Sequence, residues 1–217
     1  MALLFAGLAQ AQPVFTYNSG TLNTAIPDGN PVGISSSTNF SGISDNIASI
    51  QVNLNITGGF NGDLYVYLAG PSGQFAVLLN RVGVTGVGAG NAFGYSDAGF
   101  NVTFDQGGVN IHNYQGGSYT LVGGQLTGAW APDGRNIDPA SAPGLFDSAS
   151  TGADLGQFVN IDPNGTWTLF LADMSGGGQS TLNSWGLTIV TVPEPQTWAM
   201  LAGGAGMLLM LRRRASR

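Results

Sequence analysis

Residues 47–70, IASIQVNLNITGGFNGDLYVYLAG, decide the fold class of this chain. The first half alternates apolar and polar residues, as a strand with one buried face requires. Its apolar members are Ile50, Val52, Leu54 and Ile56. After the turn GGFNG the alternation resumes, with Leu64, Val66 and Leu68 on one face and Tyr65 and Tyr67 on the other. Two consecutive half-buried strands separated by a glycine-rich turn predict a β-sheet.

The same pattern recurs along the body of the chain. Short apolar runs at 14–17, 100–104, 119–122, 166–172 and 185–190 predict further strands. Glycine supplies 35 of the 217 residues, and no short repeat accompanies it. No stretch before the C-terminal tail has helical periodicity. The sequence therefore predicts an all-β domain, a jelly-roll-like β-sandwich of about eight short strands, followed by a C-terminal transmembrane helix.

Charge is scarce in this chain and unevenly distributed. Charged residues make up 8% of it, lysine is absent, and residues 13–192 contain eleven aspartates against two arginines, a net charge of −9. An acidic body argues against nucleic acid as a partner, because phosphate contacts need Lys or Arg. The absence of cysteine excludes disulfides, thiolate metal sites and a thiol nucleophile. This composition favours an extracellular domain that is stabilised by its core.

Residues 1–11 predict a secretory signal peptide. Residues 2–8 are apolar, and Ala9-Gln10-Ala11 fits the small-x-small pattern of a cleavage site. The usual positively charged start is missing, which indicates a signal truncated at its beginning. A buried first strand is the alternative; Pro13 and the lack of β-branched residues argue against it.

Residues 192–217 combine three features in a fixed order: a Pro-Glu-Pro motif, an uncharged apolar run at 197–211, and an arginine cluster. At 1.5 Å per residue the run reaches roughly 22 Å, short of the roughly 30 Å hydrocarbon core, and the arginines would hold its end on the cytoplasmic side. This tail resembles the PEP-CTERM sorting signal of Gram-negative bacteria that make exopolysaccharide. The residues that carry the resemblance are Pro193, Glu194, Pro195, Arg212, Arg213 and Arg214.

The sorting-signal resemblance implies a partner and a destination. In that family an exosortase, a membrane-embedded cysteine transpeptidase, recognises the tail and removes it. The chain would be held in the inner membrane as a precursor and then transferred to the cell envelope or the extracellular matrix. An ordinary C-terminal membrane anchor is the alternative.

The body, residues 13–191, resembles the P domain, the β-sandwich that follows the catalytic domain in proprotein convertases. Near its start, Gly62-Asp63-Leu64 and the later Gly-Pro-Ser-Gly at 70–73 match the family's motif. Near its end, the motif Gly-x-Trp-x-Leu, Asp, turn, Leu-x-x-Trp-x-Leu is matched as a closing hairpin. Its members here are Gly165, Trp167, Leu169, Asp173, Leu182, Trp185 and Leu187. The middle of the body matches only loosely.

The motif residues have structural interpretations. Asp63 and Asp173 are expected to accept backbone N–H groups of turns, with a shared calcium ion as the alternative. Trp167 and Trp185 are expected to pack in the core from neighbouring strands of the closing hairpin, with sugar stacking as the alternative. No other metal or cofactor is expected.

The sequence offers no catalytic constellation. A serine protease needs a nucleophile, a base and an acid in contact, and the chain has one histidine, His112, which we interpret as a loop residue. A glycosidase needs two facing carboxylates, and nothing favours a pair among the aspartates. We therefore predict a protein that is not an enzyme.

These observations predict an exported, surface-sorted protein with a structural, adhesive or ligand-binding role in the exopolysaccharide layer. Tyr65, Tyr67 and the polar strand faces are candidates for a sugar-contacting surface. Two alternatives stay open. One is an accessory module that acts in trans on a subtilisin-like protease, and the other is a glycan-active enzyme.

Overall fold

The computed structural model describes residues 12–192, 203–206 and 212. This part of the chain is mostly β, as predicted. Its eleven strands are β1 (Val14–Asn18), β2 (Thr24–Ile26), β3 (Asn30–Phe40), β4 (Ile47–Gly58), β5 (Leu64–Ala69), β6 (Phe75–Asn80), β7 (Gly99–Phe104), β8 (Thr120–Val122), β9 (Gln125–Trp130), β10 (Gly165–Asp173) and β11 (Ser180–Thr191). One α-helix, α1 (Pro143–Ser148), and the 3₁₀ segments Asn61–Asp63, Ile111–Gly116 and Leu155–Phe158 lie between strands.

The expectation of about eight short strands is wrong. The strands β3, β4 and β11 have 11, 12 and 12 residues, and β2, β3 and β9 were not anticipated. The sequence of β3, NPVGISSSTNF, is mostly polar and does not alternate clearly, because this strand forms the edge of its sheet. A strand that pairs on one side only and stays largely exposed carries no strong hydrophobic period.

The strands form two sheets. The seven-stranded sheet has the order β1-β11-β4-β7-β9-β8, with β2 also pairing with β11, and the four-stranded sheet has the order β3-β10-β5-β6. Every pairing is antiparallel except the one between β7 and β9. The two longest strands, β4 and β11, lie side by side and pair along nearly their whole length.

One hydrophobic core draws on both sheets. The predicted inward residues of β4 and β5 are all buried: Ile50, Val52, Leu54, Ile56, Leu64, Val66 and Leu68. They belong to a single cluster with apolar residues of β10 and β11. The alternation in the sequence therefore predicted which face of each strand is buried.

Two of the turns in this chain connect strands of different sheets. The GGFNG turn leads from β4 in the seven-stranded sheet to β5 in the four-stranded sheet, and the turn after β10 leads back to β11. The prediction that β10 and β11 form a closing hairpin is wrong. Each finds its partners elsewhere: β10 pairs with β3 and β5, and β11 pairs with β1, β2 and β4.

The outer edges of the sheets are short, irregular or covered. The edge strands of the larger sheet, β1 and β8, have 5 and 3 residues. The edge strand β3 carries Pro31 and faces a register shift between Leu171 and Asp173 of β10. The free edge of β6 is covered, because Val77 donates its N–H to the Ala153 carbonyl and accepts from the N–H of Gly134.

The predicted signal peptide at 1–11 lies outside the described residues, and the transmembrane helix at 197–211 lies mostly outside them. Residues 203–206, which are described, are helical. No helix within the described ranges is long and apolar enough to span a membrane.

Candidate functional site

The Gly-Asp-Leu motif sits where the chain crosses from β4 to β5. Gly62 donates its N–H to the Tyr95 carbonyl at 2.8 Å. A Cβ on Gly62 would overlap the Phe93 carbonyl and approach the Gly94 Cα within 2.7 Å. Only a glycine at position 62 lets the backbone of the 82–95 loop lie this close. The glycine thus places Asp63 directly beside that loop.

Asp63 has a buried carboxylate that accepts no hydrogen bond from the described part of the chain. It is 4% exposed. No residue within the described ranges donates a hydrogen bond to its side chain, although its backbone N–H and C=O bond to Phe60 and Met174. Burial raises the pKa of Asp63 to about 6, and Asp173 and Asp28 add to the rise while Arg81 opposes it. The expected bonds from turn N–H groups to this carboxylate are not present among those residues.

Asp173, at the end of β10, accepts a turn N–H as expected. Its Oδ1 accepts from the N–H of Ser175 at 3.2 Å. Its Oδ2 is buried and has no hydrogen-bond partner in the part of the chain that the structure describes. Burial raises the pKa of Asp173, and the N–H groups of Ser175 and Gly29 oppose this rise. Asp28 also lies near these two residues, and its carboxylate accepts hydrogen bonds from the N–H groups of Gly177 and Gly178. We call Asp63, Asp173 and Asp28 the acidic corner.

Calcium fits this corner poorly. The ion takes six to eight oxygen ligands. Across residues 12–192, 203–206 and 212, no group of three or more acidic or histidine side chains is arranged to hold a metal. The three carboxylates of this corner, Asp63, Asp173 and Asp28, are therefore not arranged around a common metal position.

Both motif tryptophans are buried but belong to different sheets. Trp167 of β10 is fully buried, donates Nε1–H to the Pro163 carbonyl at 2.9 Å and lies edge-on to Phe158. Trp185 of β11 donates Nε1–H to the Ser36 hydroxyl of β3 at 2.8 Å, which joins the two sheets. The expected cross-strand pairing of these two rings is wrong, because β10 and β11 do not pair.

Four aromatic rings form a continuous strip on the outer face of the four-stranded sheet. Tyr67 of β5 stacks on Phe170 of β10 with ring centroids 4.8 Å apart, and Tyr65 and Phe75 lie edge-on to these two rings. All four are half-buried. We call this set, Tyr65, Tyr67, Phe75 and Phe170, the aromatic strip. Two of its members were predicted as sugar-contacting residues. Phe170 was accessible to the same reasoning, because it alternates with Trp167, Leu169 and Leu171.

A groove of about 520 Å³ continues from the end of the aromatic strip at Phe75. Its side chains are amides and hydroxyls without formal charge: Gln74, Asn136, Ser150 and Gln157. The Gln74 Oε1 is buried and lacks a partner within the described ranges. Nothing in the sequence indicated this groove, because its residues come from three separate loops.

His112 is a buried structural residue. It is 2% exposed and lies in the 3₁₀ segment Ile111–Gly116. Its Nδ1 is 2.7 Å from the Asp133 carboxylate and its Nε2 is 3.0 Å from the Val84 carbonyl. Asp133 also pairs with Arg135 at 3.0 Å. The interpretation of His112 as a simple loop residue is wrong, since the residue joins three segments of the chain through buried polar contacts.

The sorting residues Pro193, Glu194, Pro195, Arg213 and Arg214 lie outside the described residues. Arg212 is described as an exposed helical residue. The predicted sorting signal therefore stays a prediction from the sequence.

No protein-family model matches the chain, and no curated protein matches it. Among solved structures, the serine protease of Aeromonas sobria in complex with the chaperone ORF2 has a TM-score of 0.44 and 16% identity, over 84% of this chain and 27% of that one. The serine protease of Aeromonas sobria has a TM-score of 0.42 and 15% identity, over 83% and 26%. This chain spans about a quarter of the length of those chains. At TM-scores below 0.5 these likenesses support no conclusion about the fold, activity or partners of this chain.

Proposed function

We propose that this protein is an exported, non-catalytic binding module that contacts neutral glycans of the exopolysaccharide layer through the aromatic strip and the adjoining groove. The strip itself carries this proposal. An outward sheet face in contact with water is usually polar, and a contiguous aromatic set on such a face marks an interaction site. Aromatic faces next to amide and hydroxyl groups suit a ligand with apolar C–H faces and many hydroxyls.

The contacts of His112 and the residue types in the aromatic strip and the groove support a role without catalysis. Both ring nitrogens of His112 are engaged by buried structural partners, which leaves this histidine without a free nitrogen to act as a base. The aromatic strip and the groove contain no carboxylate, and an acid–base glycosidase needs two.

The two sheets and their shared core support a jelly-roll-like β-sandwich as the scaffold, in line with the P-domain resemblance of 13–191. Export rests on the predicted signal at 1–11. Transfer to the envelope by an exosortase rests on the tripartite tail at 192–217.

Glycan contact is tested by retention of the protein on exopolysaccharide isolated from its host. We expect Tyr67→Ala to weaken retention by about 5- to 10-fold, because one aromatic stacking face is lost. Asn136→Ala is a second variant, because this exposed groove residue forms no hydrogen bond with the described residues and we expect its truncation to leave the fold intact. Asn113→Ala, an exposed asparagine away from the groove, is the matched control. Equal retention of all four proteins would refute the proposal.

Sorting is tested by the intact mass of the mature protein from membrane and medium fractions. We expect loss of the residues that follow the Pro193–Pro195 region, with release or a new covalent mass. A mature form that keeps Arg217 and stays in the inner membrane would refute processing by an exosortase.

The accessory-module alternative uses the same surface. An aromatic strip also suits a protein partner, and the P-domain resemblance points to a subtilisin-like protease acting together with this chain. A stable complex with such a protease, lost in Tyr67→Ala and in a variant disrupted at Gly62–Leu64, together with no retention on exopolysaccharide, would favour this alternative.

A further inference from the structure

A second pocket lies at the acidic corner, and it shares no lining residue with the groove or the aromatic strip. Its volume is about 250 Å³. Its walls are formed by the end of the β4–β5 crossing, by the 93–96 segment and by the turn after β10. The side chains that line it are Phe60, Asp63, Phe93, Tyr95, Ser96 and Ser175.

The aromatic walls of this pocket are unusually exposed. Phe93 is 74% exposed and Phe60 is 40% exposed, although both are among the most apolar side chains of the protein. Tyr95 is held in place by an edge-on contact with Tyr114 at 4.6 Å. Three aromatic rings therefore surround the pocket and leave part of their apolar surface to the solvent.

The buried carboxylate of Asp63 lies at the same pocket and forms no ion pair with any of the residues that the structure describes. Arg81 is the nearby cation, but its guanidinium is committed to backbone carbonyls: Nε donates to Gly62 at 3.2 Å, Nη1 to Pro139 at 3.4 Å and Nη2 to Ala92 at 3.1 Å. A buried carboxylate that neither caps a turn nor forms a bonded pair is costly to keep. Its placement calls for a partner from outside the chain.

We propose that this pocket binds a single lysine or arginine side chain of a partner protein. The aromatic rings would contact the cation through their faces, and Asp63 would supply the opposite charge. The volume suits one side chain and is below the range of drug-sized ligands. The net charge of −9 over residues 13–192 draws a basic partner to this surface. This inference goes beyond glycan binding and does not depend on it.

A metal ion is the competing occupant, and the lining disfavours it. Asp63 is the single carboxylate in the lining, and aromatic carbons do not replace the oxygen ligands that calcium requires. An organic cation uses both features at once, the rings and the one carboxylate.

Binding should strengthen as the pH rises. Burial raises the pKa of Asp63 to about 6; the carboxylates of Asp173 and Asp28 add to this rise, and the cation of Arg81 opposes it. The pairing requires the ionised carboxylate, so the affinity should increase between about pH 5 and pH 7.

The test titrates the full 217-residue chain, in a neutral detergent, with the blocked tripeptide Ac-Gly-Lys-Gly-NH2. Matched peptides carry Nε-acetyllysine, which removes the charge, or norleucine, which keeps only the apolar stem. The readout is the NMR shift of the backbone amides of Gly94 and Ser96. Calcium chloride is titrated in parallel.

We expect saturable shifts with the lysine peptide alone. Phe93→Ala should weaken binding by about 3- to 10-fold, because one cation–π contact is lost. Asp63→Asn should weaken it by at least about 10-fold. Val109→Ala, which truncates a 72% exposed apolar side chain elsewhere, should leave binding unchanged. Phe93 is 74% exposed, so Phe93→Ala tests the pocket without changing a buried residue.

Equal binding of the acetyllysine peptide would overturn the proposal, and so would full affinity in Phe93→Ala. Calcium could also saturate the shifts of these amides at a lower concentration than the lysine peptide does. That result would assign the pocket to a metal ion and overturn the proposal as well. Retention on exopolysaccharide by Phe93→Ala is measured alongside. A failure of cation binding is thereby distinguished from a failure of glycan binding.

Discussion

We expect the buried carboxylate of Asp63 to lower the stability of the fold. The protein keeps this carboxylate almost fully out of water, beside Asp173, and supplies no hydrogen bond to it from any described residue. Because folding raises its pKa from 3.8 to about 6, the folded state holds a proton over an interval in which the unfolded state has released it. We therefore expect the contribution of Asp63 to the free energy of unfolding to fall as the pH rises through about 4 to 6.

Replacing this carboxylate by an amide should stabilise the protein. We expect Asp63→Asn to raise the free energy of unfolding at pH 7 by about 1–3 kcal/mol, because the cost of ionising a buried acid disappears. The measurement is urea unfolding at a series of pH values. The variant should also lose most of the decline in stability between about pH 4 and pH 6.

Asp147 provides a control, because its pKa is shifted in the opposite direction to that of Asp63. Hydrogen bonds from the Thr85 hydroxyl and the Gly86 N–H lower its pKa. Its contribution is therefore present above its ordinary pKa and is lost as the pH falls. Asp147→Asn should slightly destabilise the protein at pH 7. A destabilised Asp63→Asn would contradict our account of the acidic corner.

Gly62 is required by the close approach of two backbone segments. We expect Gly62→Ala to lower the free energy of unfolding by about 1–3 kcal/mol, because the new Cβ would overlap the Phe93 carbonyl. Gly116→Ala is the matched control, since a Cβ there meets nothing within 4 Å. Thermal unfolding of both variants checks this, and equal midpoints for them would show that the 82–95 loop moves aside freely.

At the scale of elements, β4 and β11 are the two longest strands and pair with each other along nearly their whole length. Each has neighbours on both sides, whereas β8 pairs on one side and its three residues are exposed. We expect amide hydrogens of β4 and β11 to require opening free energies of about 5 kcal/mol or more, close to global unfolding. Native-state hydrogen exchange measures this. Protection of β8 equal to that of β4 would contradict it.

The sequence predicted local features of these elements better than their partners. Alternation identified the buried faces of β4 and β5, because a strand's period is independent of what pairs with it. It could not distinguish a hairpin from a crossing between sheets. Glycine-rich turns such as GGFNG permit both, and the choice depends on strands that are distant in the chain, such as the pairing of β11 with β1 and β4.

The candidate sites were also predictable only where their residues lie close together in the sequence. Tyr65 and Tyr67 could be identified from one strand, whereas the groove beside Phe75 is assembled from separate loops. His112 looked isolated for a related reason: its partners Asp133 and Val84 are 21 and 28 residues away. Contacts at such separations leave no periodic signal in the sequence.

At the scale of the whole molecule, the body is acidic and has few compensating cations. We expect its thermal midpoint to rise by about 1–3 °C when sodium chloride is increased from about 10 to 150 mM, because the Debye length shrinks from about 30 to 8 Å and like charges repel less. The rise should shrink near pH 4, where many carboxylates are protonated. A midpoint that falls with salt at pH 7 would show that attractive pairs dominate.

The edge strands of the two sheets determine how readily copies of this protein associate at high concentration. Many β proteins avoid joining edge to edge by placing lysine on their outer strands, and this chain has none. It relies instead on very short outer strands, on Pro31, on the register shift opposite β3 and on the backbone bonds that cover β6. These devices do not depend on ionic strength. We therefore expect the resistance of this protein to edge-to-edge association to be independent of salt concentration.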